Sequence, residues 1–213
     1  MTPCAPRPPA DRLLALCFSF RAREDVLVNI RVQPATAPRW PDVVAAFGRR
    51  GSKPDSCWCQ RFRQHDEPSN QAALQRELDT ATIPVGLLAY VNDQPAGWTR
   101  VVPRHTLPGI VCNRALQRIL DEDDSAWWVT CFAIRRERRG LGVGVALLKA
   151  AVNHARENGA SVLDGHPVDA RRLKAKASPS ALFTGTVTTF RAAGFREIGR
   201  TYPSRPVMRM DLS

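Results

Sequence analysis

The amino-acid sequence predicts a mixed α/β fold, and three patterns lead to this prediction. Residues 127–134 (WWVTCFAI) form a continuous apolar run, which is typical of a strand buried on both faces. Residues 144–158 carry apolar side chains at helical spacing and are followed by Gly159, which predicts a helix that ends there. Residues 84–91 and 96–102 flank a polar turn and predict a β-hairpin. A hairpin combined with a strand–helix unit indicates a sheet of mixed strand direction with helices packed on it.

The other elements are predicted from helical or strand periodicity together with capping and turn residues. Ser69 is placed to cap the start of one helix, and Gly194 is placed to end another. Polar residues at 51–66 and basic residues at 171–179 predict loops. In chain order, the remaining predicted elements are a strand at 26–32, helices at 38–47 and 69–78, a helical turn at 115–120, a strand at 161–168, a helix at 184–193, and a final strand pair at 196–202 and 207–212.

Chain length and composition fit one globular domain with an appendage. The chain has 213 residues, of which 44% are hydrophobic and 24% charged, and a domain typically takes about 150 residues. Residues 1–24 differ from the rest, since four prolines fall within residues 1–10 and an apolar run follows them. That run resembles a signal peptide only weakly, because no small-residue cleavage site follows it. We therefore interpret 1–24 as an accessory segment, or as the result of a start codon placed too early, and assign a single domain to residues 25–213.

The net charge favours an anionic partner. With 31 Lys and Arg against 20 Asp and Glu, the formal charge is +11, which suits a nucleic acid, a membrane surface or a polyphosphate ligand. The sequence shows no helix-turn-helix, no zinc-finger spacing and no RNP-like aromatic pattern, so a nucleic-acid partner is disfavoured. No stretch approaches the roughly 20 apolar residues that span a bilayer, and we expect no membrane partner.

The cysteines indicate neither a disulfide scaffold nor a metal site. The chain has six cysteines without the dense spacing of secreted disulfide-rich domains, which predicts a reducing cytoplasm. Cys57, Trp58 and Cys59 form a C-x-C sequence rather than the C-x-x-C of a zinc knuckle, and no second pair follows. We therefore expect no metal and interpret this segment as a loop with two thiols near an aromatic ring.

One stretch carries recognisable chemistry, because it leads from the buried strand through four arginines into three alternating glycines. The glycines are Gly140, Gly142 and Gly144, and they open the amphipathic helix. A helix start offers unpaired N–H groups and a partial positive charge of roughly +0.5, and glycine lets a ligand approach the backbone closely. The stretch therefore suits a pyrophosphate. The structural alternative is a turn that serves only strand-to-helix packing.

Two other phosphate-binding patterns fit the glycine loop less well. A P-loop has Lys and Ser or Thr after its last glycine, where this chain has Val145 and Ala146. The dinucleotide fingerprint G-x-G-x-x-G is closer, and Asp164 lies about 20 residues further on, where a ribose-binding acid would stand. However, the spacing here is G-x-G-x-G, and residues 135–139 separate the strand from the first glycine.

Residues 139–144 (RGLGVG) fit the pattern R/Q-x-x-G-x-G/A. This pattern resembles the acetyl-CoA pyrophosphate motif of the GNAT superfamily of N-acetyltransferases. Residues 190–195 (FRAAGF) resemble that family's helix-ending aromatic-x-x-x-Gly-Phe signature, and the order of elements from about residue 26 to 212 is similar as well. The resemblance looks closest to actinobacterial-type members, which have a Cys-Trp-Cys loop (57–59), a Pro-Val-Asp after the fifth strand (167–169) and a terminal Arg-Pro-Val-Met-Arg (205–209).

The resemblance implies a mostly antiparallel central sheet with splayed central strands, flanked by helices, and acetyl-CoA as cosubstrate without a metal. The strand before the glycine loop would pair with the pantetheine arm, and one of its backbone N–H groups would polarise the thioester carbonyl. The glycine loop would hold the pyrophosphate, and the last helix would lie beside the sulfur. The implied cofactor-binding residues are Phe132, Ala133, Ile134, Arg139, Gly140, Leu141, Gly142, Val143, Gly144, Val145, Thr186 and Phe190.

The implied reaction is direct attack of a primary amine, on a small molecule or a lysine side chain, on acetyl-CoA. A free alkyl amine has a pKa near 10.4 and must lose a proton before it attacks, so a general base is expected. The candidates are Asp164 and His166, which share a strand face by period-two spacing and lie near the implied splay. The acidic run 121–124 is a second candidate, although a solvated turn is its structural interpretation.

One departure from the family concerns the general acid. Many members carry Tyr where this chain has Phe190, and the chain's two tyrosines, Tyr90 and Tyr202, lie outside that helix. Thr186 would be placed to hydrogen-bond the sulfur, or the thiolate would leave without a dedicated acid. A CoA-binding sensor or degenerate enzyme is therefore an alternative, and a basic nucleic-acid-binding protein is a weaker one. The sequence leaves the acceptor and a homodimer open.

Overall fold

The computed structural model describes residues 16–21, 27–173 and 182–212. Within these residues the strands are β1 (Leu16–Arg21), β2 (Leu27–Pro34), β3 (Gly86–Val91), β4 (Gln94–Pro103), β5 (Trp127–Ile134), β6 (Val162–Gly165), β7 (Arg196–Tyr202) and β8 (Arg205–Asp211). The α-helices are α1 (Trp40–Phe47), α2 (Asn70–Thr80), α3 (Pro108–Val111), α4 (Arg114–Gln117), α5 (Val143–Glu157) and α6 (Val187–Ala192). Short 3-10 turns occupy Ala37–Arg39, Gly48–Ser52, Arg104–Thr106, Arg136–Arg138 and Ala170–Arg172.

The strands form one sheet in the order β1-β2-β3-β4-β5-β6-β8-β7. Among the described strands, β5 and β6 are the one parallel pair, and the other neighbours are antiparallel. Pairing between β5 and β6 ends at Val129 and Gly165, although β5 continues to Ile134. The two central strands thus separate towards their carboxyl ends, which confirms the predicted mixed, mostly antiparallel sheet with a splay at its centre.

A β-bulge in β5 decides which side chains face the splay. Val129 and Cys131 lie opposite consecutive residues of β4, so Thr130 has no partner on that strand. Beyond the bulge, Phe132 joins the core that packs under α5, whereas Cys131 and Ala133 join the core on the opposite face. A bulge bends a strand and re-aims its side chains; here it does so at the point where β6 departs.

The two faces of the sheet are covered by different helices. α5 packs across β2 to β5, and its Leu147 and Leu148 are completely buried. α1 and α2 cover the other face, where Trp58 and Trp98 are also completely buried. Burying each large apolar side chain contributes roughly 1.5–3 kcal/mol, so this second core holds the 57–60 segment firmly against the sheet.

Local chemistry explains where the observed elements differ from the predicted ones. Ser69 caps α2 as expected, since its Oγ accepts a hydrogen bond from the Ala72 N–H at 3.1 Å. The last helix begins at Val187 rather than at 184, because Thr186 is its N-cap and accepts from the Thr189 N–H at 3.3 Å. β6 ends at Gly165 rather than at 168, and the nearby Pro167 has no N–H to continue a ladder.

The amino-terminal segment contributes to the sheet. β1 lies within residues 1–24 and pairs with β2 along its whole length, from Leu16 opposite Val32 to Arg21 opposite Leu27. The proline-rich start of that segment lies outside the described residues, as do residues 174–179 of the predicted basic loop. The domain boundary at residue 25 stays a prediction. No helix of the described residues is long and apolar enough to cross a membrane.

One disulfide bond corrects the interpretation of the cysteine loop as two free thiols. Cys59 is bonded to Cys131, which lies 72 residues further along the chain, whereas Cys57 is free. No spacing pattern in the sequence predicts this pair, because only the fold brings the loop against β5.

Candidate functional site

The glycine loop takes backbone conformations that glycine adopts readily and other residues do not. Gly140 and Gly142 have φ angles of 82° and 88°, in the left-handed region. Gly142 is the N-cap of α5, and no side chain caps this helix, so its first N–H groups are available to an anion. A Cβ on Gly144 would lie 3.1 Å from Cγ2 of Thr189, so this glycine allows α6 to pack against the helix start.

The loop opens into a cleft of about 390 Å³ between the end of β5, the start of α5 and the segment that leads into α6. The predicted cofactor-binding residues that line it are Phe132, Ile134, Arg139, Gly140, Gly142, Val143, Gly144, Val145 and Thr186. The other lining residues are Arg138, Leu182, Phe183, Gly185 and Thr189. The sequence indicated Arg138 only as one of several arginines, and nothing in the sequence pattern pointed to Leu182 or Phe183.

Three predicted cofactor-binding residues do not line this cleft. Ala133 faces the opposite core because of the bulge in β5. Leu141 is half-buried and packs against the core under α5. Phe190 is completely buried, and its ring meets the edge of Phe132 with 6.2 Å between the ring centroids. Leu141 and Phe190 therefore support the walls of the cleft from behind.

One of the β5 backbone N–H groups that were candidates to polarise the thioester already has a partner. Phe132 N–H donates to the carbonyl oxygen of Phe183 at 2.6 Å. Phe183 belongs to a turn closed by the Gly185 N–H, which donates to the Leu182 carbonyl at 2.9 Å. A carbonyl oxygen thus occupies one of the β5 donors that the resemblance makes available to an acyl oxygen. The N–H is oriented into the cleft and suits an oxygen acceptor.

Asp164 is completely buried in an ion pair with two arginines. Arg209 donates from Nε to Oδ1 at 2.7 Å and from Nη2 to Oδ2 at 2.9 Å, and Arg104 donates from Nη1 to Oδ2 at 3.3 Å. The hydrogen bond to Asp164 raises the pKa of Arg209. This carboxylate joins β6 to β8, and it is not among the described residues that line the cleft.

His166 lies just beyond β6 and is half-buried. Its Nε2 lies 2.8 Å from Oγ1 of Thr201 and 3.2 Å from the carbonyl oxygen of Arg205. Burial lowers the pKa of His166 to about 4, and the charge of Arg205 acts in the same direction. The ring is thus neutral at neutral pH. Since β6 ends at Gly165, the period-two argument that placed His166 on one strand face with Asp164 does not extend to it.

The acidic run 121–124 lies at the opposite end of β5 from Phe132. Asp121 contacts Arg209, with 2.5 Å between its Oδ2 and Nη1. Asp123 accepts hydrogen bonds from both Ser125 and Ser161. The run lines a separate cavity of about 620 Å³ and is not among the residues that line the cleft, and its Asp121 joins the ion pairs of Arg209 on β8.

Neither tyrosine reaches the cleft. The Tyr90 hydroxyl donates to Oδ2 of Asp42 at 2.6 Å, and burial, followed by this hydrogen bond, raises the pKa of Tyr90. Tyr202 is 67% exposed on β7. Within the described residues, the hydroxyl groups that line the cleft are those of Thr186 and Thr189, whose oxygens lie 2.9 Å apart.

A second cavity adjoins the cleft and shares Phe183 with it. It measures about 670 Å³ and is lined by Asp55, Ser56, Cys57, Gln60, Arg61, Asn70 and Phe183. Gln60 is 4% exposed, and its Oε1 has no hydrogen-bond partner among the described residues. Arg61 lies over the Phe183 ring, 5.0 Å from its centroid. Phe183 thus lines both the glycine-lined cleft and this polar cavity.

Comparisons with known proteins agree with this architecture. The family model described as "Acetyltransferase (GNAT) family" matches residues 54–175, more than half of the chain. The GNAT domain of S. lividans PAT is 17% identical, with 92% of this chain and 97% of that chain covered and a TM-score of 0.55. The structure of yncA from Salmonella typhimurium with its cofactor acetyl-CoA is 13% identical, with 86% and 94% covered and a TM-score of 0.52.

A third solved structure, aminoglycoside acetyltransferase AAC(6')-Ib in complex with coenzyme A and kanamycin, is 14% identical, with 85% and 94% covered and a TM-score of 0.51. At these identities the structural likeness concerns the fold. No curated protein sequence matches the chain, and the actinobacterial-type subtype stays a prediction. The family match and the glycine-lined cleft agree, and the chain belongs to the acetyltransferase (GNAT) family as an acetyl-CoA-dependent acyltransferase.

Proposed function

We propose that this chain transfers the acetyl group of acetyl-CoA to a primary amine by direct attack of that amine. The observation that carries the proposal is the cleft itself, in which two left-handed glycines and the uncapped start of α5 meet the free end of β5. Acetyl-CoA, when bound, supplies an activated thioester. The protein residues bind it, orient it and manage the proton of the amine.

The residues present fit the phosphates of such a ligand. Nothing lies within 4 Å of the place where a Cβ on Gly140 would stand, so the loop is open to a group that approaches its backbone. Arg138 and Arg139 line the same cleft. Arg139 also lines a neighbouring cavity of about 340 Å³ together with Arg49, Arg135 and Arg136. This concentration of guanidinium groups suits the several negative charges of CoA.

The second cavity supports a proposal about the acceptor side. Its carboxylate, Asp55, and the unpartnered Oε1 of Gln60 are both hydrogen-bond acceptors, and a protonated amine offers only donors. Because Phe183 lines both cavities, we propose that its displacement opens a path from this cavity to the cleft. We propose as the acceptor a small-molecule amine of a size that this cavity of about 670 Å³ can hold.

For the proton, we keep His166 as the candidate base and propose a different role for Asp164. His166 is neutral and half-buried near the splay, so its ring can accept a proton directly or through a water molecule. Asp164 is fully engaged with Arg209 and Arg104, and we propose that it positions β6 against β8. With Phe190 buried and no tyrosine in the described part of the cleft, the thiolate would leave without a dedicated acid.

The test is an acetyl-transfer screen over small amines, polyamines, aminoglycosides and lysine peptides, with release of the CoA thiol as readout. We expect turnover with at least one small amine. Binding of CoA without turnover across the whole panel would instead support the alternative of a CoA-binding sensor. A preference for lysine peptides would overturn the proposed acceptor class while leaving acetyl transfer intact. A cytoplasmic location and a homodimer stay predictions.

A further inference from the structure

Three cysteine sulfurs meet where the 57–60 segment packs on β5. The Sγ atoms of Cys57, Cys59 and Cys131 all lie within 4.8 Å of one another. Cys59 and Cys131 form the disulfide bond, and the free Sγ of Cys57 lies 3.9 Å from that of Cys59. This bond ties the segment to the strand that carries Phe132. A free thiol therefore stands beside a disulfide that anchors part of the active-site strand.

The three sulfurs differ in how they can be reached. Cys59 and Cys131 are 3% and 2% exposed, so a thiol in solution has no direct path to their bond. Cys57 is half-buried and lines the cavity of about 670 Å³. Because thiol–disulfide exchange requires a thiolate to approach a disulfide sulfur, Cys57 is the one member of the trio that can connect the buried bond with a reagent from outside.

A buried cation stands beside the trio. Arg100 lies opposite Cys131 in the β4–β5 ladder and is completely buried. Its Nη2 contacts the Glu77 carboxylate at 2.6 Å, and its Nη1 lies 3.5 Å from the carbonyl oxygen of Cys59. Its Nε has no hydrogen-bond partner among the residues that the structure describes. The trio is thus bordered on one side by the buried ion pair of Arg100 and Glu77.

The backbone at Cys59 is also unusual. Its φ of 56° lies in the left-handed region, where a residue other than glycine is uncommon. Such conformations persist where the surrounding structure enforces them, and they cluster at functional sites. Here the completely buried Trp58 on one side and the bond to Cys131 on the other hold the residue in place.

We propose that Cys57, Cys59 and Cys131 form a thiol–disulfide exchange site through which a dithiol reductant opens the buried Cys59–Cys131 bond. The Cys57 thiol gives its proton to solvent in the cavity, and its thiolate attacks Sγ of Cys59. A Cys57–Cys59 disulfide forms, the Cys59–Cys131 bond breaks, and Cys131 leaves as a thiolate beside Arg100 and then takes up a proton. No electron is gained or lost in this step.

The second step needs a reductant of the dithiol class. One thiolate of the dithiol attacks Sγ of Cys57 from the cavity, which forms a mixed disulfide while Cys59 leaves as a thiolate and takes up a proton. The second thiolate of the dithiol then attacks the reductant's own bonded sulfur, which closes a disulfide within the reductant and releases Cys57 as a thiolate that takes up a proton. Cys57 and Cys59 are then both thiols, and the dithiol has been oxidised by two electrons. After this step no covalent bond ties the 57–60 segment to β5. Cys57 lines the cavity in which we propose that the acceptor amine binds, so the reductant enters through the same space, but the exchange uses neither the amine nor the proposed base.

The experiment follows the disulfide in the full chain with dithiothreitol as the reductant. Samples are quenched in acid, alkylated with N-ethylmaleimide and mapped by peptide mass spectrometry. In the native protein we expect Cys57→Ser to slow reduction of the Cys59–Cys131 bond by at least ~10-fold, because the internal thiolate is lost. Cys112→Ser is the matched control, since Cys112 is also free but exposed and outside the trio; it should react as the wild type does.

Two further measurements distinguish the loss of the Cys57 thiol from a folding defect in Cys57→Ser. In guanidinium chloride, the Cys59–Cys131 bond should be reduced at equal rates in wild type and Cys57→Ser, because dithiothreitol reaches it directly in both unfolded chains. Cys131→Ser, treated with oxidised dithiothreitol, should form the Cys57–Cys59 disulfide. Equal native rates for wild type and Cys57→Ser would overturn the proposal, as would two unpaired thiols in Cys131→Ser. A wild-type protein isolated with three thiols around a stoichiometric metal ion would overturn it as well.

Discussion

The Phe132 N–H donates to the carbonyl oxygen of Phe183 at 2.6 Å, so the turn at 182–185 occupies one of the backbone donors at the end of β5. A backbone N–H makes one strong hydrogen bond at a time. A thioester oxygen that uses this donor must therefore displace the Phe183 carbonyl. Phe183 also lines the second cavity of about 670 Å³, where we propose that the acceptor amine binds, so its displacement would change both cavities.

Hydrogen exchange tests this displacement. The Gly185 N–H closes the turn by donating to the Leu182 carbonyl at 2.9 Å. If acetyl-CoA displaces the turn, exchange at Gly185 should become faster in the complex while exchange at residues 140–144 becomes slower. The measurement is residue-resolved exchange with and without acetyl-CoA at saturation. Stronger protection at Gly185 in the complex would mean that the Phe183 carbonyl stays where it is and that the thioester uses another donor.

A matched pair of glycine substitutions tests the phosphate loop. Gly140 and Gly159 have φ of 82° and 79°, and nothing lies within 4 Å of a Cβ at either position. Asp at either site therefore carries similar backbone strain, but only Gly140 lines the cleft. We expect Gly140→Asp to weaken acetyl-CoA binding at least tenfold, about 1.4 kcal/mol, and Gly159→Asp to leave it unchanged, as measured by calorimetry. Equal acetyl-CoA affinities in the two folded variants would show that the glycine loop does not bind acetyl-CoA.

Asp164→Asn separates the positioning role from a catalytic one. The substitution leaves Arg209 and Arg104 without their buried carboxylate, and breaking a buried pair in this way costs about 3–5 kcal/mol. Asp211→Asn is the comparison, because its pair with Arg196 is more than half exposed on both sides, and such pairs contribute about 0–1 kcal/mol. The free energy of unfolding from denaturant titration measures both. If Asp164→Asn lowers the free energy of unfolding no more than Asp211→Asn does, the proposed positioning role of Asp164 is wrong.

The sequence predicted the elements that depend on local patterns. The apolar run of β5, the glycine start of α5 and the Ser69 cap all rest on neighbouring residues, and each is present. The site residues that escaped prediction depend on register and on distant packing. The bulge at Thr130 turns Ala133 away from the cleft, and no local pattern reveals it. The same holds for Phe183, which reaches β5 through a turn that the fold places there.

The pKa of His166 gives the protein a stability term that depends on pH. Burial lowers this pKa from 6.5 to about 4, so between these values the unfolded chain binds a proton that the folded chain does not. Stability from this group is therefore complete above pH 6.5 and falls as the pH decreases towards 4, with a slope of up to about 1.4 kcal/mol per pH unit. His166→Gln should flatten the dependence of the unfolding free energy over this range. An unchanged slope would show that His166 titrates normally in the fold.

The same variant tests the proposed base. If His166 accepts the proton of the amine, His166→Gln should lower turnover by roughly 10²-fold at neutral pH with acetyl-CoA affinity unchanged. A change confined to stability, with full turnover, would assign the proton transfer to another group.

The packing of Phe190 against Gly165 determines what a tyrosine at position 190, where many family members carry one, does to stability and turnover. A Cβ on Gly165 would lie 2.6 Å from Cζ of Phe190, so the tip of the ring covers the bare backbone of β6 and does not point into the cleft. Phe190→Tyr would bury its hydroxyl there, and a buried hydroxyl without a partner costs about 1–3 kcal/mol. We expect a lower free energy of unfolding and no gain in turnover.

The native tyrosines supply the comparison for Phe190→Tyr. Tyr202 is exposed, and Tyr90 is held by Asp42 on the far side of the sheet, so Tyr202→Phe and Tyr90→Phe should leave turnover within about twofold of wild type, because neither hydroxyl meets the leaving thiolate. Thiol-release kinetics on all three variants, with denaturant titrations alongside, measure both effects. Faster turnover in Phe190→Tyr would show that the ring turns its tip towards the cleft when acetyl-CoA is bound. A large loss of turnover in Tyr90→Phe or Tyr202→Phe would identify that tyrosine as the general acid.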